Sequence, residues 1–411
     1  MSNGSKAATG QTSRGASVEW PTVSYEDRLW KPRAQYAIPA KDAARSAAAY
    51  RAAVLPKIAE VPDVPLSSDA RTLVVEASAE IARFDAEVGA EVAPFSAILL
   101  RSESVASSRI ENLTASAKAI ALAEAGDTSR ENASIIVANT TAMRAAIDLA
   151  DRLDADAILQ MHDALIRPTH PEWAGKWREE QNWIGGSDYY PHGAAFVPPH
   201  PERVAAAIDD LVRFLSRVDL PPLILAAIGH AQFETIHPFP DGNGRTGRAL
   251  VHSLLRGKRL TRQVTVPVSA GLLADTDAYF AALGAYRQGD PGSIVEMVAR
   301  ASFAAINNGR ELVGELHGLR ARWDQRISAR QGAAAWRAAD LLMSQPVLDS
   351  PMLQRQLDVT APAALRAIEQ LISAGVLVKV SGKQRGRRYT APELLAALDA
   401  FAARAGRRGG A

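Results

Sequence analysis

Apolar residues recur at three- and four-residue spacing through an alanine-rich stretch from about Lys41 to Ala150, as in "DARTLVVEASAEIARFDAEV", and alternating β-branched runs are scarce. That spacing lays an apolar stripe along a helix, and alanine is the residue that holds helical conformation at least cost. The chain is therefore expected to be mainly α. Its 411 residues exceed one ordinary domain of roughly 150, so two or three units are expected. No run approaches the roughly 18 apolar residues of a membrane span, which points to a soluble protein without membrane contact. The absence of cysteine excludes disulfides and thiolate metal centres. The opening "MSNGSKAATGQTSRGAS" has no apolar core like that of a signal peptide, so a cytoplasmic protein with a disordered tail over residues 1–20 is expected.

Two regions depart from the helical pattern. Between Trp177 and Pro201, short apolar stretches around Trp183-Ile184 and Phe196-Val197 flank a segment rich in Gly, Ser, Asp and Pro, as in a β-hairpin with a long loop. From Trp336 onward a helix, a short helix, a turn at Asp358-Val359-Thr360 and a further helix precede "VLVKVSGKQRGRRYT", with alternating valines and a basic turn. Three helices plus a hairpin describe a winged helix-turn-helix. Lys379, Lys383, Arg385, Arg387 and Arg388 would form a basic wing suited to phosphates, so DNA is a candidate partner of this module. The helix after the turn offers only Arg366, Glu369 and Gln370 as base readers.

The densest chemistry lies in "HPFPDGNGRTGR", His237 to Arg248, directly after the helical stretch "PPLILAAIGHAQFETI". Gly242, Gly244 and Gly247 match the spacing of a dinucleotide fingerprint, but a helix precedes them and no acidic residue follows before Asp275, so that reading fails. What remains is a glycine-rich turn at a helix N-terminus, whose backbone N–H groups form an anion cradle. Asp241 offers a hard oxygen suited to Mg²⁺ carrying a polyphosphate. Arg245 and Arg248, three apart on the emerging helix, can hold two phosphates through forked hydrogen bonds. His237 is placed to act as a general base. Phe239 is expected to anchor the loop in the core, and His230 to pack or hydrogen-bond there. The combination suits a nucleoside triphosphate with a base beside it.

"HPFPDGNGRTGR" resembles in full the signature of the Fic family, His-x-Phe-x-Asp/Glu-Gly-Asn-Gly-Arg-x-x-Arg. The resemblance implies a helical core with a β-hairpin flap and transfer of AMP from ATP to a Ser, Thr or Tyr hydroxyl of a target protein. It makes His237 the base and Asp241 the Mg²⁺ ligand. Gly242, Asn243 and Gly244 become the anion hole, and Arg245 and Arg248 the holders of the outer phosphates. Upstream, "SSRIEN" (Ser107 to Asn112) resembles the family's inhibitory motif, Ser/Thr-x-x-x-Glu-Gly/Asn, which implies that Glu111 pairs with Arg248 and displaces the γ-phosphate. Ser107 orients that helix, and Arg109 is expected in a solvated or structural ion pair. The implied organisation is an N-terminal helical region over 21–125, a Fic core over 126–310, a connecting helix over 311–335, the winged helix over 336–400 and a basic disordered tail over 401–411. A target would lie along the flap, around Trp183 to Pro199, where Tyr189 and Tyr190 are read as exposed turn residues or self-modification sites. Removal of AMP by the same site, and nucleotide sensing by a winged-helix transcriptional regulator, are the alternatives.

Overall fold

The computed structural model describes residues 19–30, 48–89, 94–380 and 387–406. A hairpin of β1 (Ser24–Leu29) and β2 (Ala49–Val54) leads into helices α1 (Ser68–Gly89), α2 (Pro94–Ile110), α3 (Ala117–Glu124), α4 (Glu131–Asp148) and α5 (Ala155–Ile166). An irregular segment follows, then α6 (Val204–Ser216), α7 (Pro222–Ile236), α8 (Asn243–Gly257), α9 (Val268–Leu273), α10 (Thr276–Arg287) and α11 (Gly292–Arg326). The C-terminal unit consists of α12 (Ala334–Leu342), β3 (Val347–Asp349), α13 (Ser350–Leu357), α14 (Ala361–Ser373), β4 (Val378–Lys379), β5 (Arg388–Thr390) and α15 (Pro392–Ala405). Helices dominate and the sheets are small, as the apolar spacing predicts.

Helix α7 occupies the centre because its sequence leaves no other place for it. "PLILAAIGHAQFETI" is apolar on every face, and a helix of that kind must be surrounded. All residues from Leu223 to Ile236 are buried, with α6, α8, α10 and α11 packed around them. Pro222 opens the helix where a missing N–H costs nothing. Among the described residues, no helix is long and apolar enough to cross a membrane.

Helix α11 runs unbroken for 35 residues, about 50 Å, packing on α1 and α9 near its start and on α15 farther along. The boundary expected between residues 310 and 311 therefore falls inside one continuous helix. The boundary at 400 fails for the same reason, since α15 continues to Ala405 with Phe401 and Ala405 buried. Residues 407–411 of the expected tail lie outside the described residues.

The N-terminal region is not wholly helical. β1 pairs antiparallel with β2, Ser24 opposite Val54 and Leu29 opposite Ala49. Six-residue strands, β1 with no buried residue and β2 buried largely through alanines, carry too little periodicity to stand out in an alanine-rich sequence. Trp20, placed at the end of the expected tail, is buried against Phe214 and Tyr286, with ring centroids 6.4 and 6.0 Å away. The remainder of that tail, residues 1–18, lies outside the described residues.

The expected hairpin between Trp177 and Pro201 reduces to one bridge, Ile184 opposite Phe196, closed by Ile184 N–H to the Phe196 carbonyl at 2.9 Å. The two apolar stretches do meet, but Gly185, Gly186, Pro191 and Gly193 between them prevent a longer ladder. In the C-terminal unit the strands form one antiparallel sheet ordered β3-β5-β4. Lys383 and Arg385 of the expected basic wing lie outside the described residues. Arg388 is already engaged, donating to the Ala125 carbonyl at 2.6 Å.

Helix α2 is held from both sides. Glu103, fully buried, accepts from Ser269 N–H at 2.9 Å, bonds His252 Nε2 at 2.8 Å and takes the Ser269 hydroxyl, which ties α2 to α8 and α9. Hydrogen bonds to a charged group are each worth about 1.5–3 kcal/mol, enough to fix the register between these helices. On its other side Arg109 donates to the Ala402 carbonyl of α15, and Asp399 of α15 accepts from Ala117 N–H at the start of α3 at 2.8 Å. Arg109 thus makes a helix-to-helix tie where an ion pair was expected.

Candidate active site

The loop begins where α7 is forced to stop. His237 adopts the left-handed conformation, φ 49° and ψ 59°, and Pro238 follows it. A non-glycine residue there carries roughly 1 kcal/mol or more of strain, so the surroundings must impose it. Buried Arg178 does so: its Nε donates to the His237 carbonyl at 2.9 Å and its backbone N–H to the Pro238 carbonyl at 2.9 Å. Phe239 is fully buried, stacked on His162 at 3.6 Å with the rings 2° from parallel, and it anchors the loop as expected.

The side chain of Asn243 closes the loop on itself. Its Oδ1 accepts from Phe239 N–H at 2.8 Å and its Nδ2 donates to the Phe239 carbonyl at 2.8 Å. The amide thereby holds its own loop in shape. Asn182 donates to the same carbonyl at 2.9 Å. His162 Nδ1 accepts from Gly175 N–H at 3.2 Å, which leaves the proton on Nε2 to donate to the Asp241 carbonyl at 3.1 Å. Burial pushes His162 down to about 4, so it is neutral in this role.

Gly242 has φ 77° and precedes α8, which begins without a side-chain cap. A Cβ at Gly242 would approach Leu165 and Ile166 at 3.0 Å, so both its conformation and its surroundings suit glycine. The first N–H groups of α8 therefore face outward with the positive end of the helix dipole behind them.

A carboxylate from far upstream reaches that helix end. Helix α2 ends at Ile110 because Asn112 turns left-handed, φ 61°, with Leu113 N–H bonded back to the Ser108 carbonyl at 3.0 Å. Asparagine tolerates this conformation better than most residues, a physical reason for Asn or Gly after the glutamate. Glu111 Oε1 lies 2.7 Å from Arg248 Nη2, the expected pairing, and Oε2 lies 2.7 Å from Arg245 Nε, which was not expected. Any Cβ on Gly244 would collide with Glu111 Oε1, so the carboxylate lies against the start of α8. Ser107 accepts from Arg248 twice, at its hydroxyl (2.8 Å) and its carbonyl (3.0 Å). Burial opposes the Arg248 charge, but the charge and hydrogen bond of Glu111 hold it above the ordinary arginine value.

These groups line one cavity of about 600 Å³, with Glu111, Glu234, His237, Asp241, Arg245 and Arg248 on its wall. His237 is pushed down to about 3 by burial first and by Arg178 next, so its imidazole is neutral and able to accept a proton. Asp241 is half exposed at the rim, 3.5 Å from Arg245 Nη2. His230 bonds Tyr279 within the core at 2.7 Å. Tyr189 is exposed, but Tyr190 is 5% exposed, which overturns its reading as an exposed turn residue. Arg178, Asn182 and Glu234 escaped the sequence reading. A signal existed for Glu234: a carboxylate on a helix apolar all round has to be explained.

The comparisons fall on this same region. Residues 152–255 match the family model described as Fic/DOC family. The protein adenylyltransferase fic-1 of Caenorhabditis elegans is 33% identical over 160 residues, 38% of this chain and 28% of that protein. The protein adenylyltransferase Fic of Nematostella vectensis is 29% identical over 164 residues, 39% of this chain and 35% of that protein. The match thus spans roughly a third of the length of these curated relatives. A crystal structure of a Fic family protein from Desulfovibrio desulfuricans G20 superposes with a TM-score of 0.50 at 22% identity, covering 82% of this chain and 98% of that one, and it shares the fold. The residues that match the Fic/DOC family model span the cradle, the histidine and both arginines.

Proposed function

We propose that this chain is a protein adenylyltransferase that transfers AMP from ATP to a Ser, Thr or Tyr hydroxyl of a target protein, and that Glu111 restrains it. The observation that carries this reading is the seat of the Glu111 carboxylate. It rests at the α8 N-terminus between both signature arginines, the position suited to a phosphate, so the cradle already holds an anion.

In the reaction, neutral His237 accepts the proton of the target hydroxyl as that oxygen bonds to the α-phosphorus of ATP. The bond from that phosphorus to the α–β bridging oxygen breaks, and pyrophosphate leaves. Arg245 and Arg248, once released by Glu111, hold the outer phosphates, and the first N–H groups of α8 stabilise the charge that develops on them. The Ile184–Phe196 bridge supports the segment along which the target chain would lie.

The donor set also fits magnesium. Among the described residues no three His, Asp or Glu groups could hold an ion alone, but Mg²⁺ commonly takes one or two carboxylates and completes its shell with phosphates and water. Asp241, half exposed at the rim, would hold it, and the ion would neutralise phosphate charge.

The C-terminal unit is read as a winged helix, supported by α12, α13 and α14 with a small antiparallel sheet. The deciding experiment incubates the protein with lysate and ATP labelled at the α-phosphate. Label on protein hydroxyls supports the transferase. Its absence from both lysate proteins and the chain, even with Glu111→Gly, overturns it.

A further inference from the structure

Glu234 is the one acidic residue on α7, and its neighbours give it no ordinary role. It lies one turn before His237, is 7% exposed and lines the cavity that holds both signature arginines. Its Oε1 is buried without a hydrogen-bond partner among the described residues, and no ion pair joins it to Arg248. A buried carboxyl that is neither paired nor bonded costs several kcal/mol unless something arrives to use it.

We propose that Glu234 is a ligand for the terminal phosphates of the nucleotide, donating a hydrogen bond from its carboxylic acid beside Arg248. The proposal rests on the nucleotide-site reading above and assigns a further contact within it. An ionised carboxylate at this place would repel phosphate, whereas the acid form supplies an O–H donor that a phosphate oxygen accepts.

The charged and titratable groups around Glu234 agree with that role. Arg248 from α8 and Arg287 from α10 favour its ionised form. Glu111, at the end of α2, opposes it, while neutral His237 and His230 on its own helix and Tyr279 on α10 add no charge. Burial is the largest influence and pushes the carboxyl up to about 7. Replacing Glu111 with a triphosphate brings more negative charge to the same place, which raises the proton affinity of Glu234 further. Nucleotide binding is then coupled to uptake of a proton at Glu234.

Calorimetry on the full chain carrying Glu111→Gly tests this, because that change frees both arginines; Glu131 and Asp241 also line the cavity, and the Glu234→Gln variant separates their protons from that of Glu234. The probe is an ATP analogue with a methylene in place of the α–β bridging oxygen, titrated with Mg²⁺ in buffers of different ionisation heat. Close to one proton should be taken up per analogue at pH 8 and far less near pH 5.5, with affinity at least about tenfold weaker at pH 8 than at pH 6. Adding Glu234→Gln, which keeps a donor without a titratable proton, should abolish the uptake and flatten the affinity profile. AMP, lacking the outer phosphates, should bind without uptake. Binding of the analogue with no proton uptake overturns the proposal, independently of whether the glutamine variant folds. Equal uptake in that variant, or with AMP, does the same. No binding of any nucleotide would instead remove the nucleotide-site reading, and this proposal with it.

Discussion

The Glu111 carboxylate and the Arg248 guanidinium meet at 2.7 Å from positions 137 residues apart, and the same carboxylate holds Arg245 at 2.7 Å. One side chain therefore engages both arginines of the loop. Arg248 is 3% exposed, so this is a largely desolvated, charge-assisted contact rather than a surface ion pair.

Glu111→Gly is expected to raise AMP transfer, by roughly 10²-fold if the restraint misplaces the α-phosphorus by about 1 Å. Adding Arg248→Ala should remove the gain. Label from α-labelled ATP on the chain and on lysate proteins measures both. A single variant no more active than the parent, or a double variant as active as the single, counts against the restraint.

His237→Ala should lower transfer at least about 10²-fold while nucleotide binding persists, because the base acts on the incoming hydroxyl. The pH profile should also be distinctive. The value of His237 is lowered, so the catalytically useful neutral form is retained as pH falls below the ordinary histidine range. Transfer by the Glu111→Gly chain should hold between pH 7 and 6, and a fall with a midpoint near 6.5 would contradict a base already neutral there.

Asp241→Ala should weaken triphosphate binding in the presence of Mg²⁺ and leave binding without Mg²⁺ little changed. Titration of Mg²⁺ against parent and variant at fixed nucleotide decides this. Superimposable curves would remove Asp241 as the metal ligand.

Arg109→Ala should loosen the end of α2 from α15 and raise transfer several-fold in the parent, but add nothing in a Glu111→Gly background. The non-additivity is the informative quantity, because contacts in one network couple by about 0.5–3 kcal/mol. Equal gains in both backgrounds would show that Arg109 acts apart from Glu111.

The candidate site was far more legible in the sequence than the fold around it. His237, Asp241, Arg245 and Arg248 are contiguous because one turn and one helix end present them together, so their spacing is their geometry. The pairing of Glu111 with Arg245 was invisible, since it depends on α2 crossing the start of α8, and the Glu103, His252 and Ser269 contacts that set this crossing are scattered along the chain. The β1–β2 pair escaped because Ala52 and Ala53 suit a buried strand and a helix alike. Glu234 was legible as the lone acidic residue of an apolar helix, but its place on the cavity wall depends on how α7 packs against α8.

The cavity wall also explains why one variable position of the signature carries no side chain here. A Cβ on Gly247 would approach Glu234 Oε1 at 2.9 Å, Phe233 at 2.9 Å and His230 Nδ1 at 3.2 Å. Gly247 and Glu234 thus compete for one volume. In a saturation library position 247 should accept little beyond glycine even where 234 is made smaller, because Phe233 and His230 still stand in the way.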